Sequence, residues 1–161
     1  MMKPSRPEQG TPRAEESLQG IVAIVDDDPH ISRALGMWLD LHGLRATHHT
    51  SAESLLQAIH PHDGQLFLRI GVAEQVEFPL VGAVLDLNLP GKSGIELANS
   101  LRQLQAGLPL ALVTALREEE RTRYGLPPAG VRCLKKPFDL DALEDALFPL
   151  MAHTAPQPAH A

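Results

Sequence analysis

The strongest constraint on the fold is a repeated pattern, in which a short apolar run is followed by a segment of helical periodicity. Residues 20–25 read GIVAIV, residues 80–85 read LVGAVL and residues 109–113 read PLALV. Short, uniformly apolar runs of this kind are typical of strands buried on both faces of a parallel sheet. Residues 44–49 and 131–134 are weaker strand candidates. The pattern therefore predicts five strands separated by helices.

Helix start signals lie between these strands. Asp28 precedes a proline and is suited to an N-cap, and residues 50–53 and 93–96 both have the sequence of a capping box. A polar helix is predicted around residues 117–124, and Asp139 begins a last helix. Strands that alternate with helices predict an α/β protein with a doubly wound, five-stranded parallel sheet and helices on both faces.

One stretch interrupts the alternation. Residues 61–79 separate the second helix from the third strand, whereas such connections usually have about 2–6 residues. Leu66, Leu68 and Ile70 alternate as in a strand, but Leu66, Ile70 and Ala73 also suit one face of a helix, so periodicity does not decide between the two. We predict an inserted element, with some apolar side chains packed onto the domain and others forming a partner surface.

The size and composition indicate one domain, which we place at residues 20–152. Residues 1–19 and 153–161 are poor in apolar side chains and are predicted to be flexible tails. The net charge of −6 disfavours non-specific nucleic-acid binding, and no stretch has the roughly 20 apolar residues of a membrane span. With Cys133 as the only cysteine, a reducing, cytoplasmic location is expected.

Polar residues follow four of the predicted strands. They are Asp26, Asp27, Asp28, Asp86, Thr114, Lys135 and Lys136. The carboxyl ends of parallel strands meet at one edge of a sheet, so these side chains should converge there. Clustered carboxylates suit Mg²⁺, and a carboxylate beside such an ion can accept a phosphoryl group. A nearby ammonium group and hydroxyl group would balance the phosphoryl oxygens.

Four segments, IVDDDP, LDLNLPGKSGIEL, LVTA and LKKPF, resemble the signature of bacterial two-component response-regulator receiver domains, in the order of that family. The match covers roughly residues 20–150 and is similar to stand-alone receivers of the chemotaxis-regulator type. The resemblance implies a flavodoxin-like fold with strand order 2-1-3-4-5.

The resemblance also implies roles for individual residues. Asp86 would be the phosphoacceptor, Thr114 the switch hydroxyl and Lys136 the phosphoryl-contacting lysine, with a cis bond before Pro137. The implied Mg²⁺ ligands are Asp26, Asp27, Asp86 and Asn88, the last through its backbone carbonyl.

The function implied by the resemblance is signal transduction in a phosphorelay. The chain would take a phosphoryl group from a phosphohistidine on a sensor histidine kinase or phosphotransfer protein, and would then signal by binding a downstream protein. A homodimer is a further expectation; a nucleic-acid or membrane partner is not. Such a domain is not an ordinary enzyme, because its chemistry is limited to its own phosphorylation and dephosphorylation.

Two alternatives from other classes stay open. One is a receiver-fold interaction scaffold that phosphorylation does not regulate, which is favoured by the insertion and by Cys133, since the family usually has Tyr or Phe at that position. The other is a phosphatase of the haloacid-dehalogenase type, which also uses an Asp at a strand end but needs a second Asp where this chain has Asn88. Leu116 is a further departure, being apolar where many receivers have a polar side chain.

The remaining candidates are assigned structural roles. The histidines at positions 48, 49, 60 and 62 lack a complete metal-ligand pattern and are predicted to lie on the surface. Trp38 is predicted to be in the core, and Cys133 to be a small, inert apolar residue.

Overall fold

The computed structural model describes residues 20–71 and 76–154, with side chains described up to residue 148. In chain order its strands are β1 (Ile21–Val25), β2 (Arg45–His49), β3 (Ile59–His62), β4 (Gln65–Ile70), β5 (Val76–Asp86), β6 (Leu110–Thr114) and β7 (Arg132–Lys135). Its helices are α1 (Pro29–Leu41), α2 (Ala52–Ala58), α3 (Gly94–Leu104), α4 (Glu118–Arg121) and α5 (Leu140–Thr154), with a 3₁₀ turn at Thr122–Tyr124.

Five of the strands form the predicted parallel sheet. The order is β2-β1-β5-β6-β7, and each neighbouring pair is parallel. This is the doubly wound order 2-1-3-4-5 expected from the sequence, so the predicted fold class is confirmed. Strands β1 and β6 are buried along their whole length, as their uniformly apolar sequences indicate.

Two further strands make the sheet seven-stranded, and both come from the insertion. β3 and β4 form an antiparallel hairpin, and β4 pairs with residues 76–79 of β5, the part of β5 that precedes its parallel pairing. The insertion therefore begins in sheet structure at Ile59, directly after α2. It adds antiparallel structure at the amino end of β5, opposite the edge where β5 ends at Asp86.

The core has one layer on each face of the sheet. One layer joins the sheet to α2 and α3, and the other joins it to α1 and α5. Leu66, Leu68 and Phe78 of the insertion are buried in the first layer, which confirms that part of the insertion packs onto the domain. Trp38 is buried in the second layer, where its ring stacks on Phe148 at a centroid distance of 5.1 Å.

Most predicted helix starts are confirmed. Asp28 accepts a hydrogen bond from the backbone amide of His30, and Ser93 and Glu96 form a complete capping box. The helix predicted over residues 117–124 is much shorter, because α4 has only four residues and none of them is buried. Leu104, at the end of α3, continues the helical spacing of Leu97 and Leu101 but is 40% exposed, whereas those two residues are fully buried.

Most residues of the two predicted tails lie outside the part of the chain that the structure describes. Residues 1–19, 72–75 and 155–161 lie outside the described residues, while α5 continues to Thr154, two residues into the segment predicted as a flexible tail. Within the described part of the chain, no helix combines the length and apolarity needed to cross a bilayer.

Candidate functional site at the carboxyl edge of the sheet

Three carboxylates meet where β1 and β5 end. Asp26 and Asp27 directly follow β1, and Asp86 is the last residue of β5. Because these strands are parallel neighbours, their carboxyl ends are adjacent, and one oxygen from each of the three carboxylates lies within 4.8 Å of the others. Asp26 and Asp86 are buried, whereas Asp27 is exposed. The predicted convergence of these residues is observed.

Lys136 joins two of these carboxylates. Its Nζ lies 2.8 Å from Asp26 Oδ2 and 3.3 Å from Asp86 Oδ2. The lysine directly follows β7 and its backbone amide donates to the carbonyl of Thr114, so the edge of the sheet fixes its position. The Lys136–Pro137 bond is cis, as predicted. The neighbouring Lys135 is exposed, and among the described residues it forms no salt bridge with these carboxylates.

Backbone amides hold the two buried carboxylates from the other side. The amide of Asp28 donates to Asp26 Oδ1 at 2.9 Å, and the amide of Asn88 donates to Asp86 Oδ1 at 3.2 Å. The turn after Asp86 is packed tightly against α3, since a Cβ atom on Gly94 would lie 2.3 Å from the Asp86 carbonyl oxygen. Only glycine allows this approach without a shift of the backbone.

The pKa values of Asp86 and Lys136 are both shifted in this cluster, which contains three carboxylates and one ammonium. The pKa of Asp86 is raised to about 6, mainly by burial and also by the nearby Asp26 carboxylate, against the opposing effects of Lys136 and the Asn88 amide. Burial alone would lower the pKa of Lys136, but Asp26 and Asp86 together outweigh it and the pKa lies above its usual value. The single ammonium of Lys136 is stabilised by two carboxylates, whereas Asp86 is destabilised by burial and by Asp26 more than Lys136 stabilises it. The pKa values of Lys136 and Asp86 are therefore both raised.

Thr114 lies at the same edge, at the end of the strand that neighbours β5. It is fully buried at the end of β6, and its Oγ1 accepts a hydrogen bond from the backbone amide of Leu116 at 3.0 Å. Among the hydrogen bonds of the described residues, none joins the Thr114 hydroxyl to the Asp86 carboxylate. The predicted site residues are therefore assembled at one edge, with Thr114 one strand away from the carboxylates.

Sequence reasoning missed one contact at this site. The hydroxyl of Tyr124 donates to Asn88 Oδ1 at 3.2 Å, although the two residues are 36 positions apart. No local pattern marks this pair, because Tyr124 belongs to a short 3₁₀ turn in a polar segment.

The prediction that all four histidines lie on the surface is wrong for His49. It is buried at the end of β2 and hydrogen-bonds Thr47 Oγ1 at 3.0 Å through Nε2. Burial, together with the neighbouring His48, lowers the pKa of His49 to about 4, so the ring is neutral at pH 7. Its position is that of a core histidine, as expected for the inward face of a strand.

The three carboxylates fit a hard divalent cation. All of their donor atoms are oxygens, the ligands that Mg²⁺ prefers, and the exposed Asp27 leaves one side of the cluster open to water. Burial and the nearby Asp26 carboxylate raise the pKa of Asp86. A bound cation would offset the repulsion between these two carboxylates.

The fold and the acidic edge together define a flavodoxin-like α/β domain with a cation-compatible carboxylate cluster at the carboxyl ends of its strands. Residues 72–148 match the family model of the response regulator receiver domain. This match identifies a response regulator receiver domain in the chain and confirms the resemblance inferred from the motifs.

Curated relatives are consistent with this assignment. The chain is 31% identical over 137 residues to the C4-dicarboxylate transport transcriptional regulatory protein DctD of Pseudomonas aeruginosa, covering 85% of this chain and 26% of the relative. It is 29% identical over 138 residues to the transcriptional regulatory protein FixJ of Rhizobium meliloti, covering 83% of this chain and 60% of the relative. The chain thus spans less than two thirds of these relatives.

A solved structure supports the same fold. The crystal structure of a sensor protein from Polaromonas sp. JS666 superposes with a TM-score of 0.62 at 27% identity, covering 84% of this chain and 98% of that one. A CheY-like receiver domain protein from Methanospirillum hungatei JF-1 superposes with a TM-score of 0.60 at 19% identity, a likeness that concerns the fold alone.

Proposed function

We propose that this chain is the receiver domain of a response regulator, which accepts a phosphoryl group on Asp86 from a phosphohistidine donor. The observation that carries the proposal is the Lys136 ammonium, which lies between the Asp26 and Asp86 carboxylates at the end of the central strand. An ammonium in this place can neutralise phosphoryl oxygens as they approach Asp86, and phosphoryl transfer depends mainly on such positioning and neutralisation.

The cofactor in this proposal is Mg²⁺, held by the carboxylates of Asp26, Asp27 and Asp86 and by the backbone carbonyl of Asn88. A bound Mg²⁺ supplies charge neutralisation for the phosphoryl oxygens. The carboxylate of Asp86 acts as the nucleophile and is held by the Asn88 amide, while Thr114 supplies a hydroxyl on the phosphoryl side. In the bond from the Leu116 amide this hydroxyl is the acceptor, so its own proton stays free to be donated to a phosphoryl oxygen.

The partners in this proposal are proteins. The donor is a sensor histidine kinase or a histidine phosphotransfer protein, and the phosphorylated domain signals by binding a downstream protein, with a homodimer as one form of that contact. The net charge of −6 disfavours nucleic acid as a direct partner of this domain, and the single cysteine favours the cytoplasm.

The direct test is phosphorylation by acetyl phosphate with Mg²⁺, measured by intact mass. The wild type should gain one phosphoryl group and Asp86→Asn should gain none. Asp27→Ala should require a higher Mg²⁺ concentration, and Mg²⁺ affinity should fall as the carboxylates protonate. An equal mass gain in Asp86→Asn would contradict the assignment of the phosphoacceptor, and equal Mg²⁺ dependence in Asp27→Ala would contradict the metal site.

A second candidate is an interaction scaffold with a receiver fold. It is favoured by the reduced α4, which buries none of its residues, and by Cys133, which is only partly buried on β7. The two candidates differ in whether partner binding responds to Asp86. A partner captured equally by the unphosphorylated and the phosphorylated wild type would favour the scaffold.

A further inference from the structure

The segment that follows β6 is linked to the phosphoacceptor turn by one side chain. Tyr124 is half-buried and packs against the same apolar cluster as Leu87 and Leu89, so its ring is held beside the turn that begins at Asp86. Its hydroxyl donates to Asn88 Oδ1. Within the described residues, no other hydrogen bond between side chains joins residues 117–131 to that turn.

This contact engages the polar atom of Asn88 that could accept a hydrogen bond from water. The backbone amide of Asn88 already donates to Asp86 Oδ1, so its side chain begins beside the carboxylate proposed to carry the phosphoryl group. The carboxamide offers two N–H donors and one oxygen acceptor, and the bond from Tyr124 takes up one lone pair of this oxygen and holds it towards the tyrosine. Leu116, half-buried in the same cluster, offers the site no side-chain acceptor.

We propose that Tyr124 is a positioning residue that prolongs the aspartyl phosphate, by keeping the Asn88 carboxamide oxygen from orienting the attacking water. The inference rests on the proposed function of Asp86. In the loss reaction, a water oxygen forms a bond to phosphorus while the bond from phosphorus to the Asp86 oxygen breaks. The products are the Asp86 carboxylate and dihydrogen phosphate, whose two protons come from the water. A hydrogen-bond acceptor near the water favours the attacking orientation, and here the Asn88 oxygen is held towards Tyr124 instead.

The test compares decay rates after phosphorylation by acetyl phosphate and removal of the donor. Tyr124→Phe keeps the ring and removes only the hydroxyl, so it should lose the phosphoryl group about three- to tenfold faster than the wild type. The double variant Tyr124→Phe/Asn88→Ala should lose this acceleration and decay within about twofold of Asn88→Ala alone. Leu126→Ala, on the same segment but 88% exposed, is the matched control and should decay like the wild type.

The outcomes separate a specific role from simple loosening of the segment. Unchanged decay in Tyr124→Phe would overturn the proposal, and so would an acceleration that persists after Asn88→Ala, because the carboxamide would then not be its cause. Urea unfolding midpoints verify that each variant is folded under the assay conditions. If the wild type accepts no phosphoryl group, the proposed function fails and this inference fails with it; if it does and only the Tyr124 comparison fails, the proposed function stands.

Discussion

The two ends of strand β5 differ in how they are stabilised. At its carboxyl end, Asp86 is buried beside Asp26, and the two carboxylates share the Lys136 ammonium. At its amino end, Phe78 is buried with Leu66 and Leu68 of the hairpin in an apolar layer. The first end depends on the ionisation of a few groups and the second on packing. An insertion could be accommodated at the second end because it leaves the charged end untouched.

The largest expected effect is at the apolar end. Leu66→Ala removes a fully buried side chain and should lower the free energy of unfolding by about 2–5 kcal/mol. Ile70→Ala, on the same strand but 36% exposed, should cost under about 1 kcal/mol and serves as the control. Urea unfolding measures both. If the two variants were equally stable, the hairpin would not be part of the core.

This packing also changes the expectation for removing the insertion. Deleting residues 61–79 would uncover the apolar layer that Leu66, Leu68 and Phe78 help to fill, so a deletion would test stability before it tested a partner contact. Ile70 and Val76 are exposed, so substitutions at these two positions are the better test of the predicted partner surface.

Stability should also depend on pH through His49, which lies at the end of β2. Its pKa is about 4 in the folded chain and 6.5 in the unfolded chain, so the unfolded state binds more protons between these values. Stability from this group is present above pH 6.5 and is lost as pH falls towards 4, with a total of about 1–2 kcal/mol after allowance for solvent screening.

Unfolding curves of the wild type and His49→Gln from pH 4 to 7.5 measure this effect. The variant should show a flatter dependence, whereas His48→Gln, at the exposed neighbouring position, should retain most of the wild-type slope. Identical slopes in the wild type and His49→Gln would contradict the assignment.

Asp86 should act in the opposite direction. Its pKa rises from 3.8 to about 6 on folding, so the folded state holds the proton more tightly and its carboxylate destabilises the fold. This cost is absent below pH 3.8, develops as pH rises to 6 and is constant above. Without Mg²⁺, Asp86→Asn should therefore raise the free energy of unfolding at pH 7 by about 1 kcal/mol and have little effect at pH 4.

That comparison is made by urea unfolding in EDTA. A loss of stability in Asp86→Asn at pH 7 would show that the carboxylate is favourably paired with Lys136, contrary to the charge balance described above.

The smallest expected effect concerns Leu116, whose backbone amide holds the Thr114 hydroxyl. A polar side chain at this position could orient the attacking water, so phosphorylated Leu116→Asn and Leu116→Glu should decay a few-fold faster than the wild type, a change of about 1 kcal/mol in the barrier. If neither variant decays faster, Leu116 does not contribute to the lifetime.

The sequence predicted the charged end better than the apolar end. Uniformly apolar runs located β1 and β6, and the acidic and basic residues that follow the strands converge because parallel strands end at one edge. The apolar runs and the polar residues after them can each be read from a short stretch of sequence. The rule that parallel strands end at one edge of the sheet then places the polar residues together. Helical spacing alone would also place Leu104 in the core, but it is the last residue of α3 and is 40% exposed.

The hairpin was within reach of sequence reasoning. Asp63-Gly64 stands between two short runs and has φ values of 51° and 75°, as a two-residue type I′ turn requires. That dipeptide, rather than the periodicity of the apolar residues, was the informative signal. The Tyr124–Asn88 contact could not be predicted in this way, since it depends on the tertiary position of a short turn.

The Asp63–Gly64 turn has a practical consequence for protein engineering. It is exposed, and it closes the hairpin whose strand β4 pairs with residues 76–79, whereas the charged edge lies at Asp86, the last residue of β5. Exposed loop tips of this kind usually tolerate added residues. A fluorescent tag or an affinity peptide spliced between Asp63 and Gly64 would therefore report on this domain in a mixture while leaving the chemistry of Asp86 undisturbed.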